Sequence, residues 1–349
     1  MTSKTLRFVS ELAAAGLLAP SEALESVAAR YSIAVTPQIA ALIDRGDAAD
    51  PIARQFLPDA RELTTHAFES ADPIGDDVHS PVPGLVHRYD DRVLLKLVSV
   101  CPLYCRFCFR RETVGSGKGS ALARHELDAA LAYVAARPKI GEVILTGGDP
   151  LAVSARRLLE VAEGVARIAH VTTLRAHTRA PTLAPELVTD DRVAALRASG
   201  KKLRVALHVN HVRELSPAAR DAIAALREAG VELLAQTVLL RGVNDQADAL
   251  EALLRALVEL GVAPYYLHHP DRAPGTAHFA VTLARGRALF EKLEAQARNI
   301  ALPRYVIDIP GGFGKVPLKE PHAVEVAPRR WRLVDRFGMA HEYRETCDD

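Results

Sequence analysis

The sequence predicts an α/β fold: a partial (β/α)6 TIM-like barrel over residues 81–300, preceded by a helical N-terminal extension (1–80) and followed by a short C-terminal segment (301–349). Three observations predict it. Apolar runs of strand length recur, and from the second onward their starts lie about 30 residues apart. Amphipathic helical stretches separate them, which means a parallel sheet with crossover helices. Polar residues able to do chemistry stand at the carboxyl end of each run, and a barrel gathers those ends on one face.

The extension comes first. MTSKTLRFVSELAAAGLL carries a Glu within its apolar part and reads as a small amphipathic helix rather than a signal peptide. SEALESVAARYSI and TPQIAALIDRG each place a cap-like Ser or Thr before an apolar-periodic run. Prolines in DPIARQF and SPVPGL punctuate the rest.

The barrel strands are RVLLKLVSV (92–100), GEVILTGG (141–148), VTTLRAHT (171–178), KLRVALHV (202–209), VELLAQTVLL (231–240) and APYYLHH (263–269). Helical stretches such as SARRLLEVAEGVARIA, DDRVAALRASG, SPAARDAIAALREAG and ADALEALLRALVELG lie between them, three ending in Gly within two residues of the next strand. Six units are too few for a full eight-unit barrel. A doubly wound open sheet is the alternative, but it spreads its strand ends along a line. Chemistry-capable residues close all six strands: Cys101, Gly147-Gly148-Asp149, Thr178-Arg179, His208 to His211, Gln236, and His268 to Asp271. That favours the barrel.

Composition narrows the classes of function. A net charge of +1 gives no basic surface for nucleic acid or anionic membrane. No run of eighteen uninterrupted apolar residues exists, so no membrane span is expected. Of four cysteines, three crowd into CPLYCRFCFRR (101–111), which argues against a secreted disulfide framework and for a reducing cytoplasm.

Those three, Cys101, Cys105 and Cys108, form C-x3-C-x2-C on the loop after the first barrel strand. Structural zinc with a histidine as fourth ligand is one reading, which would make the chain a zinc-binding interaction protein. An iron–sulfur cluster is the other. Three thiolates on four irons leave one iron open to an external ligand. With Phe107 before the last cysteine and TGGDPL (146–151) after the next strand, the pattern resembles the radical S-adenosylmethionine enzymes. That resemblance implies a [4Fe-4S] cluster with S-adenosylmethionine on its open iron, the backbone of Gly147, Gly148 and Asp149 facing the methionyl amine, and an electron donor such as a flavodoxin or ferredoxin. Glycines suit close backbone approach to a ligand.

YVIDIPGGFGKVPL (305–318) sets a lysine behind glycines. It is no phosphate loop, because Ile309 and Val316 stand where Gly and Ser or Thr are required. A solvated surface lysine and an imine-forming lysine both remain. VPGLVHRYDDRVLL, RAHTRAP, QTVLLRGVND, PYYL, AHF and DIPGGFGKVPL, in that order across roughly residues 80–320, are similar to the lysine 2,3-aminomutase family. The resemblance implies pyridoxal 5′-phosphate on Lys315, with Arg88 and Arg92 on its phosphate, a role that guanidinium geometry suits. It implies movement of the α-amino group of L-lysine to C3. Asp271 and Asp308 would clamp the substrate's side-chain ammonium, and Arg110 its α-carboxylate. Thr178, Arg179, His208 and Gln236 match sites around the two organic cofactors. Relatives that make β-lysine for modifying elongation factor P are an alternative, as is another amino-acid substrate. A homo-oligomer is expected. The C-terminal zinc cysteines of longer members have no counterpart, the only later cysteine being Cys347, and His268, His269 and Pro270 replace more usual residues before Asp271.

Overall fold

Four short helices open the chain in a computed structural model that describes residues 4–117 and 121–345: α1 (Val9–Ala14), α2 (Glu22–Arg30), α3 (Pro37–Leu42) and α4 (Pro51–Phe56). Local chemistry sets their starts. Ser21 Oγ accepts from the Leu24 N–H at 3.3 Å, and Thr36 Oγ1 from Ile39 at 3.4 Å. Asp50 Oδ1 accepts from Ile52 and Ala53 at 2.9 and 2.7 Å. Each cap satisfies amides that the first turn leaves orphaned. Pro37 and Pro51 begin helices rather than break them, since the first helical position has no N–H to lose. Val9, Leu12, Ile39, Ile52 and Phe56 pack with Leu103 and Leu183. The extension is thus seated against the cysteine loop.

A hairpin follows, β1 (Leu85–Tyr89) antiparallel to β2 (Arg92–Val98). From β2 the chain alternates through α5 (Arg124–Ala135), β3 (Glu142–Gly147), α6 (Ala155–Ala166) and β4 (Thr173–Thr178). It continues with α7 (Ala180–Leu183), α8 (Asp190–Arg197), β5 (Lys202–His208), α9 (Pro217–Glu228), β6 (Glu232–Val238), α10 (Ala247–Glu259), β7 (Ala263–His268) and α11 (Leu283–Gln296). Strand β8 (Arg304–Ile309) comes next, and β9 (Gly314–Pro317) turns back antiparallel to it. Strands β2 to β8 are parallel and neighbour one another in chain order. The six strand–helix units expected from the sequence are present, and a seventh parallel strand completes them. Leu95, Leu97, Val143, Leu145, Leu174, Val205 and Leu233 face Leu127, Leu158, Val161, Ile223 and Leu253 in one continuous core.

The barrel is nearly closed. Its edges, β1 and β9, are laced by side chains instead of ladder bonds: the Lys315 N–H donates to Tyr89 Oη at 2.9 Å. A second, three-stranded sheet, β10 (Ala323–Ala327), β11 (Arg330–Val334) and β12 (Ala340–Arg344), packs Trp331, Leu333 and Tyr343 against Ile309 and Val316. From its β11–β12 turn, Arg336 reaches over the Tyr89 ring at 4.6 Å and donates to the Arg88 carbonyl at 2.8 Å. No helix among the described residues is long and apolar enough to cross a membrane. Cys347 lies outside the described residues.

Candidate active site

The carboxyl ends of the parallel strands open into a cavity of about 430 Å³. Cys101, Cys105, Cys108, Arg88, Arg92, Arg110, Gly147, Gly148, Asp149, Thr178, Arg179, His208, Gln236, Asp271, Asp308 and Lys315 all line it. Every residue assigned to the cluster, the organic cofactors or the substrate therefore lines one space.

The thiols sit on the loop after β2. Burial pushes all three up: Cys101 well above the usual thiol range and Cys108 to about 11, both helped by neighbouring negative charge, and Cys105 against the opposing charge of Arg179. Three half-buried thiols with raised pKa values need a cationic centre to hold them deprotonated. The three cysteines lie within eight residues of one loop and all line the cavity. Three thiolates without a fourth cysteine nearby in the sequence are the donor set of a four-iron centre with one iron left open.

Behind the loop, Gly147 and Gly148 are fixed by the protein's own backbone. A Cβ on Gly148 would lie 2.2 Å from the Val100 carbonyl oxygen, and one on Gly147 2.4 Å from that of Val98. Gly147 also adopts φ +112°, where side chains are strained. The sequence reading assigned these glycines to ligand approach; the closer constraint is the incoming cysteine strand. Asp149 is a hub. It accepts from Thr178 Oγ1 at 2.7 and 2.9 Å, and from the N–H groups of Leu151, Arg179 and Ala180. The Thr178 hydroxyl proton is committed there. Arg179 donates to Cys105 Sγ at 2.9 Å. His208 Nε2 faces Asn210 Oδ1 at 3.2 Å, and the Gln236 amide faces His177 Nε2 at 3.4 Å. Burial holds both imidazoles well below their ordinary range.

Across the cavity Lys315 Nζ lies 3.0 and 2.9 Å from the two Asp308 oxygens. Burial opposes the lysine's charge, but Asp308 outweighs it and raises its pKa. Arg88 also reaches Asp308, at 3.4 Å, and Asp76 at 3.1 Å. Asp76 binds Arg110 at 2.8 Å as well. Arg92 stands across the hairpin turn from Tyr89 and pairs with Asp91 at 2.7 Å, so the two arginines share a hairpin rather than a helix face. Among the residues lining the cavity, Arg88 Nε, Arg179 Nε and His268 Nε2 are buried without a partner. A phosphate-bearing aldehyde beside an amine would use such donors, so Lys315, Arg88 and His268 fit pyridoxal phosphate.

Sequence reasoning missed Asp76, Tyr89 and His177. Tyr89 and His177 lay inside the HRYDDR and RAHTRAP motifs and were legible there. Asp76 had no local signal, because its partners are Arg88 and Arg110.

The family model of the Radical SAM superfamily matches residues 95–255. The L-lysine 2,3-aminomutase of Fusobacterium nucleatum is 36% identical over 313 residues, covering 90% of this chain and 73% of that protein. That of Clostridium subterminale is 35% identical, covering 90% and 75%. A putative L-lysine 2,3-aminomutase of Aquifex aeolicus is 33% identical, covering 93% and 88%. Membership of the superfamily brings with it a [4Fe-4S] cluster and S-adenosylmethionine. The cysteine loop, the glycine turn behind it and this similarity along nine-tenths of the sequence lead to one assignment: the chain is an isomerase belonging to the L-lysine 2,3-aminomutase family of radical S-adenosylmethionine enzymes.

Proposed function

We propose that this enzyme moves the α-amino group of L-lysine from C2 to C3, giving β-lysine, with pyridoxal phosphate carried on Lys315. The observation that carries the reading is one cavity lined by the cysteine triplet, by Lys315 and by the acidic pair Asp271 and Asp308. Cys101, Cys105 and Cys108 would hold the cluster. Gly147 to Asp149, Thr178, Arg179, His208 and Gln236 would surround the organic cofactors, and Arg88 and Arg92 the phosphate. When bound, the cluster with S-adenosylmethionine supplies hydrogen abstraction by a carbon radical, and pyridoxal phosphate supplies an aldehyde for the migrating nitrogen.

The chain's own residues do the positioning. Lys315 rests as an ammonium against Asp308. Its amine is a nucleophile only without that extra proton, and Asp308, in hydrogen-bond reach, is the group placed to take it. Occupying Lys315 removes it from the ion pair. Once the proton taken by Asp308 has passed to solvent, Asp308 is a carboxylate without its lysine, beside an Asp271 that burial keeps protonated. A cation between them is needed for both to ionise, which the side chain of lysine provides and that of glutamate does not. Arg110 is held in place by Asp76 and by Thr146 Oγ1 at 3.3 Å, ready for an α-carboxylate. An electron from a flavodoxin- or ferredoxin-type donor and a homo-oligomeric state complete the proposal.

Anaerobic reconstitution with iron, sulfide, pyridoxal phosphate, S-adenosylmethionine and reductant tests it. Lysine should yield β-lysine, and glutamate should yield nothing. Borohydride reduction followed by peptide mapping should find a pyridoxyl group on Lys315. Its absence there would remove the cofactor assignment.

A further inference from the structure

We propose that Arg179 sets the reduction potential of the cysteine-bound cluster: its guanidinium donates to the Cys105 sulfur, and Glu214 and Gln55 fix its direction and temper its charge. The inference rests on the assignment of Cys101, Cys105 and Cys108 as cluster ligands. Arg179 Nη1 stands 2.9 Å from Cys105 Sγ. Nη2 donates to Glu214 Oε2 at 2.6 Å and to Gln55 Oε1 at 2.9 Å. Gln55 Nε2 donates in turn to Glu214 Oε1 at 3.1 Å, and Asn210 Nδ2 to Gln55 Oε1 at 3.0 Å. Glu214, Gln55 and Asn210 are all 0% exposed. The guanidinium is flanked by the rings of Phe56 and Phe107, at 4.9 and 5.3 Å. It is therefore clamped from several directions and cannot swing away from the sulfur.

Nearby charge and hydrogen bonds to the ligand sulfurs set the potential of an iron–sulfur cluster. Both terms act in one sense at Arg179. An N–H donated to sulfur draws electron density off it, and a buried positive charge favours the added electron. Glu214 acts in the opposite sense, from one residue further away. Two elements distant in sequence meet here, since Gln55 belongs to α4 of the N-terminal extension and Glu214 to the turn after β5. The extension thus takes part in the electron-accepting step, and Arg179 is a positioning residue of that step.

Wild type, R179Q and E214Q are reconstituted anaerobically without S-adenosylmethionine. Iron and sulfide are counted, folding is checked by circular dichroism, and reduction is followed by electron paramagnetic resonance against applied potential. R179Q should be at least tenfold less reducible at equilibrium, a downward shift of about 59 mV for one electron. E214Q should shift upward. A purely structural role would change the amount of cluster but not give opposite signs. Midpoints that coincide with wild type in both variants overturn the proposal. If R179Q assembles no cluster, E214Q decides, and a midpoint that fails to rise there overturns it. Wild type without iron and sulfide would instead strike at the cluster assignment itself, and this inference would fall with it.

Discussion

Asp271 is the residue whose proton reports on the substrate. Burial first, and then the charge of Asp308, pushes its carboxyl up to about 8. Between about pH 4 and pH 8 the folded chain keeps a proton there that the unfolded chain has released. The stabilising contribution of this group is therefore complete below about pH 4 and lost as pH rises through about 8. A cation entering between Asp271 and Asp308 reverses the balance and ionises Asp271. Binding of lysine to the cofactor-loaded enzyme at about pH 7 should release up to one more proton, roughly, in wild type than in Asp271→Asn. Calorimetry in buffers of different ionisation heat reads that difference, which should shrink as rising pH ionises Asp271 without lysine. Asp271→Ala and Asp308→Ala should each lower lysine turnover about a hundredfold or more, as expected for an unpaired buried charge, with iron content unchanged. Normal turnover in both would discard the clamp. These two aspartates were legible only because motifs framed them. Asp76 was not, since a carboxylate in DPIGDD is indistinguishable from a turn residue until the fold brings Arg88 and Arg110 to it.

Elements carry the next layer. The turn after β3 is threaded so closely past the end of β2 that its glycines have no room for a side chain. Gly148→Ala must move the Val100 carbonyl, and Val100 directly precedes Cys101. Overpacking of this kind costs roughly 1–3 kcal/mol. Thermal unfolding should show that loss, and iron per chain should fall with it. An unchanged midpoint with full iron would disprove the coupling. At this scale the sequence was readable where pattern and caps agreed: the six barrel strands end within two residues of their expected limits. Strand β8 escaped notice because YVIDI ran straight into the glycine–lysine motif and was read with it, although five successive buried residues marked a central strand. The last sheet was hidden by charge. In RWRLV the alternation is clear only once Trp331 and Leu333 are seen buried between exposed arginines.

At the scale of the whole molecule, the N-terminal extension is tied to the cysteine loop through Glu62. Its fully buried carboxylate accepts from Arg106 Nε and Nη2 at 2.9 and 2.6 Å, and from Arg111. Arg111 also donates to the Gly275 carbonyl, four residues after Asp271. Glu62→Gln should cost about 3 kcal/mol, since breaking a buried ion pair leaves charge uncompensated. Chemical denaturation measures that, and Glu62→Asp should recover part of it. A loss below about 0.5 kcal/mol would reduce the contact to the value of a surface pair. Such ties were invisible beforehand, because periodicity speaks only to neighbours in the chain. The seam between β1 and β9 has one more effect. Tyr89 and Lys315, which bridge it, stand 226 positions apart, and synthesis runs from the amino end. A growing polypeptide therefore displays its thiols to the surrounding solution long before the wall opposite them has been translated, and the chamber is sealed only after Lys315 has emerged.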